Sequence, residues 1–287
     1  MGIKTVSLKS EYRSEMIADI MRSLRDTGFL VLTDHGIDQA DLTKLYEMWS
    51  AFFTHPTFKK KFTFNKDRQW GYFPIKSEKA KDAKVADIKE FYHFFMNNPE
   101  SILPALPVEL EHVTRKIALQ LEDIAVVLLQ LIEKHTPSSV NTCDRNWSKS
   151  VDGSDQTLLR ILHYPPLGPD AEEGAVRAAA HEDINFITLL PAATQPGLEV
   201  KDNHGNWVSV DVLDPNSIIV NVGDMLQECT GGYFKSTTHR VVNPEGQNNV
   251  ARLSLPLFLH PTGDTRLSAR HTAHSYLMER LKELGLI

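Results

Sequence analysis

The sequence has few cysteines and no long apolar run. Its two cysteines, Cys143 and Cys229, are too few for a disulfide framework or a four-cysteine zinc site, so we predict reduced thiols. The longest strongly apolar stretch, residues 124–132, is too short to cross a bilayer. Residues 1–15 lack the apolar centre of a signal peptide. These absences predict a soluble cytoplasmic protein with no membrane partner.

A basic surface of the kind that binds nucleic acid is also missing. The chain carries 31 Lys and Arg residues against 37 Asp and Glu residues, a net charge of −6. Phosphate binding needs a concentrated basic surface, so we predict no nucleic-acid partner. The length of 287 residues and a hydrophobic content of 41% allow a sizeable core. We predict one domain over residues 1–287, acting as a monomer.

The pattern of apolar residues divides the chain into three regions. Residues 1–136 predict helices around short strands, with a helix beginning at a Ser10 cap, a second helix capped by Asp38 and a long helix after Pro107. Residues 155–262 predict many short strands separated by turns, which is typical of an antiparallel sandwich or barrel. Residues 270–287 predict a final amphipathic helix. The fold class is therefore mainly β with flanking helices.

One histidine has a carboxylate two residues later, in His181-Glu182-Asp183. On a strand, residues i and i+2 share a face and could bind one metal ion. The local sequence leaves helix or strand open, because three alanines precede His181 while an apolar run follows Asp183. His239 begins another apolar run and is the best third ligand. Two imidazoles and one carboxylate form the facial triad of non-haem Fe(II) oxygenases, which leaves coordination positions open.

A second polar pair lies 13 residues beyond His239. Arg252 and Ser254 share a face of a predicted strand. A buried arginine needs an anionic partner, and a guanidinium with a hydroxyl suits a carboxylate. An internal salt bridge would explain the same residues equally well.

These motifs belong to a longer pattern. Six segments occur in order: RILHYPP (160–166), HED (181–183), GLEV (197–200), VNVGDML (220–226), KSTTHRV (235–241) and RLS (252–254). GFLVLTDHGI (28–37), DIKEF (87–91) and YLMERL (276–281) extend the pattern towards both ends. In this order and spacing, the chain resembles the isopenicillin N synthase-like family of Fe(II)/2-oxoglutarate oxygenases over nearly its whole length.

The resemblance implies a double-stranded β-helix, a cupin-like jelly-roll barrel, and an enzyme. It implies that His181, Asp183 and His239 bind Fe(II), and that Arg252 and Ser254, assisted by Tyr164, hold the distal carboxylate of 2-oxoglutarate. The cofactors would be Fe(II), 2-oxoglutarate and O2, with ascorbate as a candidate stimulant. The enzyme would couple decarboxylation of 2-oxoglutarate, giving succinate and CO2, to hydroxylation, desaturation or cyclisation of a small organic substrate.

The sequence also departs from the family pattern. Many members carry asparagine where this chain has Leu162, glycine before the H-x-D motif, and threonine at the position of Glu182. None of these changes removes a metal ligand or the carboxylate clamp.

Other features of the sequence leave alternatives open. Phe91, Tyr92 and His93 are candidate substrate-pocket residues, although plain core packing would explain them as well, and Glu228 is a further candidate. Residues 221–224 predict a strand end and turn. The alternative functions are an iron oxidase of the same family that does not use 2-oxoglutarate, a non-catalytic jelly-roll binding protein and a zinc hydrolase.

Overall fold

The computed structural model describes residues 2–9, 11, 13–64, 69–78, 87–97, 106–140, 145–168, 176–210, 214–243 and 249–283. Its helices are α1 (Arg13–Thr27), α2 (Gln39–Thr54), α3 (Val108–His135), α4 (Trp147–Val151), α5 (Asp224–Cys229) and α6 (Ala273–Glu283), with a 3-10 helix at Lys59–Phe62. Its first strands are β1 (Lys4–Ser7), β2 (Phe29–Thr33), β3 (Gly71–Phe73), β4 (Glu90–Phe95), β5 (Leu158–Tyr164), β6 (Ala178–His181) and β7 (Ile187–Pro191). The remaining strands are β8 (Leu198–Lys201), β9 (Trp207–Ser209), β10 (Ile218–Val222), β11 (His239–Val241), β12 (Arg252–Ser254) and β13 (Leu257–Leu259).

The described strands form two sheets. The major sheet has nine strands in the order β1-β2-β10-β7-β13-β5-β4-β3, with β12 paired to β5 outside this path. The minor sheet has four strands in the order β6-β11-β8-β9. The N-terminal strands β1 to β4 thus extend the sheet that β5, β7, β10 and β13 build from the C-terminal half.

Alternation along each major-sheet strand separates a helix-facing side from an inner side. On β10, Val220 and Val222 pack in the large core cluster that includes α1, α2 and α3. On the same strand, Ile219 packs against Leu198 and Val200 of the minor sheet. Polar residues at the inner positions of the major sheet therefore face the minor sheet, and the site forms between the two sheets.

Several predicted boundaries agree with the structure for local reasons. Asp38 accepts a hydrogen bond of 2.7 Å from the Ala40 backbone N–H and caps α2, as its position predicts. Helix α1 ends at Gly28, which has a φ of +71°, a conformation that favours glycine. The predicted cap Ser10 and the last residues of the predicted C-terminal helix, 284–287, lie outside the described residues.

Other elements differ from the predictions. Residues 63–87, whose polar, irregular sequence predicts a surface loop, contain β3, and residues 136–155, which predict a polar linker, contain α4. The turn predicted at residues 221–224 is instead the start of α5. Residues 253–259, which predict one short strand, fall in two strands, β12 and β13, on either side of Leu255-Pro256, because proline cannot donate a ladder hydrogen bond. The sequence left helix or strand open for the segment that precedes His181. This segment forms the strand β6, which pairs with β11. Among the described residues, no helix is both long and apolar enough to cross a membrane.

Candidate metal centre

His181, Asp183 and His239 converge at one end of the space between the sheets. His181 ends β6 and His239 begins β11, and the two residues are partners in the antiparallel ladder. One ligand atom from each residue lies within 4.8 Å of the others. The Asp183 Oδ1 atom is 4.0 Å from His181 Nε2 and 3.7 Å from His239 Nε2. The strand pairing therefore brings His239 to His181 and Asp183, which lie about 60 residues earlier in the sequence.

Both imidazoles are oriented in the same way by the backbone. His181 Nδ1 lies 2.7 Å from the Ala179 carbonyl oxygen, and His239 Nδ1 lies 3.1 Å from the Thr237 carbonyl oxygen. A carbonyl can only accept, so each Nδ1 carries the hydrogen and each Nε2 keeps its lone pair. Burial, reinforced by the neighbouring His239, lowers the pKa of His181 to about 4, which keeps this ring neutral near pH 7. Both rings turn Nε2 away from the backbone carbonyl and towards the Asp183 carboxylate.

Asp183 is held as a carboxylate by two residues of the major sheet. Its Oδ2 atom accepts hydrogen bonds of 2.6 Å from Thr188 Oγ1 on β7 and 2.8 Å from Asn221 Nδ2 on β10. Burial alone would raise the pKa of Asp183, but His239 and His181, together with the hydrogen bonds from Asn221 and Thr188, hold it below its usual range. Oδ2 is engaged, so Oδ1 faces the two imidazoles.

The donor set fits Fe(II). Two imidazole nitrogens and one carboxylate oxygen, all within reach of one ion and all from one side, form the 2-His-1-carboxylate arrangement of non-haem iron oxygenases. The backbone carbonyls and the pair Thr188 and Asn221 supply the outer hydrogen bonds that such ligands need to keep their orientation.

Arg252 lines the same pocket as the triad, on the major-sheet side. Its strand partner is Tyr164, and its guanidinium lies 5.3 Å from the Tyr164 ring centre. Nε donates to the Gln195 carbonyl oxygen at 2.9 Å, while the buried Nη1 has no hydrogen-bond partner among the described residues. Burial lowers the pKa of Arg252. A buried guanidinium with an unused donor is costly unless it binds an anion, and the Arg252 site therefore suits a carboxylate.

These groups line one open pocket, whose empty space, including solvent at its mouth, is about 590 Å³. Ser254 and Tyr164 also line it. The rest of its described lining is mainly apolar apart from Lys89, Arg160, Thr188 and Asn221, and the apolar residues are Phe29, Leu162, Ala178, Leu190, Leu198, Val241, Pro256 and Phe258.

The four residues that the sequence suggested for the substrate pocket, which are Phe91, Tyr92, His93 and Glu228, do not line this pocket. Phe91 stacks on Phe73, and Tyr92 packs against Trp49 in the helix-facing core. His93 lies behind Arg160 and accepts a hydrogen bond of 2.9 Å from its Nε. Glu228 lies on α5, outside the lining. The sequence reasoning missed Lys89 and Arg160, although Arg160 shares a strand face with Tyr164 by the period of two.

Comparisons with known proteins agree with this geometry. The family model described as the 2OG-Fe(II) oxygenase superfamily matches residues 156–261. The model described as the N-terminal region of non-haem dioxygenases in morphine synthesis matches residues 3–110. A 2-oxoglutarate-dependent dioxygenase of Monascus ruber is 30% identical over 285 residues, covering 90% of this chain and 82% of the relative.

Solved structures show the same relationship. A crystal structure from Shewanella oneidensis, described as that of an oxygenase, is 43% identical, covers 100% of both chains and superposes with a TM-score of 0.85. A 2OG-Fe(II) oxygenase family protein from Caulobacter crescentus is 31% identical over 99% of both chains, with a TM-score of 0.79. The jelly-roll fold and the use of Fe(II) and 2-oxoglutarate that the sequence predicted are confirmed. The chain belongs to the 2OG-Fe(II) oxygenase superfamily and is an Fe(II)- and 2-oxoglutarate-dependent dioxygenase.

Proposed function

We propose that His181, Asp183 and His239 are the Fe(II) ligands. The supporting observation is that their three ligand atoms lie within 4.8 Å of one another, with both Nδ1 atoms and Asp183 Oδ2 already engaged elsewhere. The atoms left over, two Nε2 and one Oδ1, are the three that a single ion can take. The metal would therefore bind with little rearrangement of the chain.

Arg252, Ser254 and Tyr164 are proposed to hold the carboxylate of 2-oxoglutarate that is remote from the metal. The buried Nη1 of Arg252 supplies a charge-assisted hydrogen bond, and Ser254, two residues along β12, presents its hydroxyl from the same strand face. Tyr164 supports the guanidinium across the ladder. These residues would fix the orientation of the co-substrate relative to the triad.

When bound, Fe(II) with 2-oxoglutarate and O2 supplies an oxidant for hydroxylation, desaturation or cyclisation of the substrate, and succinate and CO2 are released. The protein itself orients the metal ligands and excludes water from the pocket. Thr188 and Asn221 hold Asp183, the carbonyls of Ala179 and Thr237 hold the imidazoles, and the apolar lining keeps the pocket dry. Asp183 keeps its charge in the folded protein and is the anionic ligand.

The prime substrate is a small organic molecule, as in the enzyme family. The single domain over residues 1–287, the monomeric state and the cytoplasmic location stay predictions from the sequence.

Succinate formation tests the proposal. The full chain is supplied with Fe(II), ascorbate and 2-oxoglutarate, and succinate is measured for the wild type, His239→Ala and Asp183→Ala. We expect succinate from the wild type and at least about a hundredfold less from either variant, because each loses one of three ligands. The exposed His204 provides the matched control, since His204→Ala should keep the wild-type rate. Full succinate formation by either ligand variant would refute the assignment, and none by the wild type would favour the oxidase alternative.

A further inference from the structure

Two cations, Lys89 and Arg160, line the pocket of the triad and have no part in the proposed binding of Fe(II) or 2-oxoglutarate. Lys89 Nζ lies 2.8 Å from Asp87 Oδ2 and 3.1 Å from Glu78 Oε2. Arg160 donates to both Glu78 oxygens, at 3.2 Å and 3.0 Å. Glu78 therefore bridges the two cations, which places the ammonium and the guanidinium side by side.

The Arg160 guanidinium is held in a fixed orientation. Its Nε donates to His93 Nε2 at 2.9 Å, and His93 Nδ1 lies 2.8 Å from the Gln69 carbonyl oxygen. Burial, reinforced by Arg160, lowers the pKa of His93 to about 3, so this ring is a neutral acceptor. The guanidinium also lies 4.8 Å from the Phe91 ring centre and 5.7 Å from that of Phe258. A guanidinium held in this way is oriented to bind a planar carboxylate, and in this structure that carboxylate is the side chain of Glu78.

Arg160 lies away from Arg252 along β5, whereas Lys89 precedes the ladder pair Glu90 and His163, lies beside Tyr164 and is linked to the triad. Asp87, which binds Lys89, also accepts a hydrogen bond of 3.1 Å from the Ala179 backbone N–H, and the Ala179 carbonyl orients His181. On β5, Arg160 is four residues from Tyr164, the strand partner of Arg252, which corresponds to roughly 13 Å along the strand. A 2-oxoglutarate molecule held between Arg252 and the metal leaves Arg160, to which Glu78 links Lys89, to a second ligand.

We propose that Lys89 and Arg160 form an anion subsite for the prime substrate, a small organic acid whose carboxylate binds these two side chains. Its apolar body lies against Phe258, whose ring centre is 5.7 Å from the Arg160 guanidinium. This inference rests on the proposed function, because it assumes that 2-oxoglutarate occupies the Arg252 end of the pocket.

Glu78 is the chain's own carboxylate at this subsite. Its side chain is 22% exposed, and Glu78 follows β3 in the chain. The charges of Lys89 and Arg160 are balanced by those of Asp87 and Glu78, so Glu78 competes with an incoming carboxylate for the same N–H donors. Removing its charge should therefore strengthen the binding of an acid, whereas a purely structural salt bridge predicts no gain.

Calorimetry on the Fe(II)-loaded full chain tests the subsite, with saturating 2-oxoglutarate and without oxygen so that Arg252 is occupied. The probes are butyrate, octanoate and hydrocinnamate, each compared with its primary amide. We expect at least one acid to bind about tenfold or more tightly than its amide, a difference of about 1.4 kcal/mol. Glu78→Gln should raise that acid's affinity by about a further tenfold, while Arg160→Gln and Lys89→Gln should remove the preference.

Glu111→Gln is the matched control, because Glu111 pairs at 3.1 Å with Arg115, which lies 5.1 Å from the Phe94 ring centre, away from the pocket. It should leave the affinity for the acid unchanged. The subsite is wrong if no acid is preferred over its amide, including the case in which neither binds, or if Glu78→Gln leaves acid binding unchanged. The 2-oxoglutarate titration of the same sample keeps the two proposals apart, since failure to bind 2-oxoglutarate overturns the proposed function instead.

Discussion

Asn221 Nδ2 lies 2.8 Å from Oδ2 of Asp183 and so leaves Oδ1 as the carboxylate oxygen that faces His181 and His239. Asn221 lies on β10 of the major sheet, whereas Asp183 follows β6 of the minor sheet. The hydrogen bond therefore connects the folding of the major sheet to the geometry of the metal centre.

Asn221→Ala should weaken Fe(II) binding about 10- to 100-fold, the usual cost of losing an outer partner of a metal ligand. Thr188→Val should act in the same direction, since Thr188 donates to the same oxygen. Competition with a chelator measures the affinity, and thermal unfolding of the metal-free protein shows whether the fold is intact. Unchanged affinity in both variants would mean that Asp183 is oriented by something else.

Arg252→Met should separate 2-oxoglutarate binding from folding. The affinity for 2-oxoglutarate should fall about a hundredfold or more, because truncating one partner of a buried charge pair costs about 2–5 kcal/mol. Without 2-oxoglutarate the unfolding temperature should hold or rise, since an unpaired buried charge is removed. Unfolding scans with and without 2-oxoglutarate test both parts, with Arg115→Met as the control. A fall in stability without 2-oxoglutarate and no change in its affinity would assign Arg252 a structural role.

Glu90 should make stability sensitive to acid. It binds Lys59 at 2.7 Å and His163 at 2.8 Å, and it accepts from Tyr72 at 2.5 Å, joining the 3-10 helix, β3, β4 and β5. Burial alone would raise the pKa of Glu90, but hydrogen bonds from His163, Lys59 and Tyr72 hold it below its usual range. Because the folded pKa is the lower one, this stability is present above the unfolded value of about 4.3 and is lost as the pH falls through the folded value.

Urea unfolding at a series of pH values measures this effect. Glu90→Gln should be less stable than the wild type by about 2 kcal/mol near neutral pH, and the difference should shrink below about pH 4. Glu111→Gln, on the half-exposed pair with Arg115, should show little difference at any pH. A constant difference between the wild type and Glu90→Gln across the acid range would contradict the role of the Glu90 charge.

Comparing alanine substitutions at Gly28 and Gly36 tests the packing near His239. Both have a positive φ, +71° and +83°. A Cβ at Gly28 would contact Thr237 and would lie 2.5 Å from the Lys235 carbonyl oxygen, whereas a Cβ at Gly36 would meet nothing within 4 Å. Gly28→Ala should cost about 3 kcal/mol, combining strain and overpacking, and Gly36→Ala about 1 kcal/mol.

The metal centre should respond to Gly28→Ala as well, because the Thr237 carbonyl accepts from His239 Nδ1. Weaker Fe(II) binding in Gly28→Ala than in Gly36→Ala, measured by the same chelator competition, is the expected result. Equal stability and equal Fe(II) affinity in the two variants would show that the approach of Gly28 to Thr237 is unimportant.

Local signals allowed much of the fold to be predicted. The Asp38 cap and the apolar face of α2 are signals within a few residues of each other, and the apolar run at residues 158–164, which predicts a strand, has the bounds of β5. Strand β6 could not be settled from sequence, because alanine has no preference for strands and the strand is defined by pairing with β11. The short helices α4 and α5 lacked the periodicity that longer helices show.

The site could be predicted where spacing or family motifs carried the information. His181 and Asp183 are two residues apart, and resemblance placed His239, Arg252 and Ser254. Asn221 was assigned only to a strand end, because its contact with Asp183 depends on the packing of two sheets. Lys89 and Arg160 are brought together by Glu78 and by the pairing of β4 with β5, which the sequence alone does not give.

Anaerobic absorption spectroscopy tests the central claim most directly. Fe(II) is added to the full chain, then 2-oxoglutarate, and the visible charge-transfer band of 2-oxoglutarate bound to Fe(II) is recorded for the wild type, His181→Ala, His239→Ala and the His204→Ala control. The account predicts a band in the wild type and the control that needs both additions, and its loss in the two triad variants. A wild type without the band, or triad variants that retain it at full strength, would contradict the account.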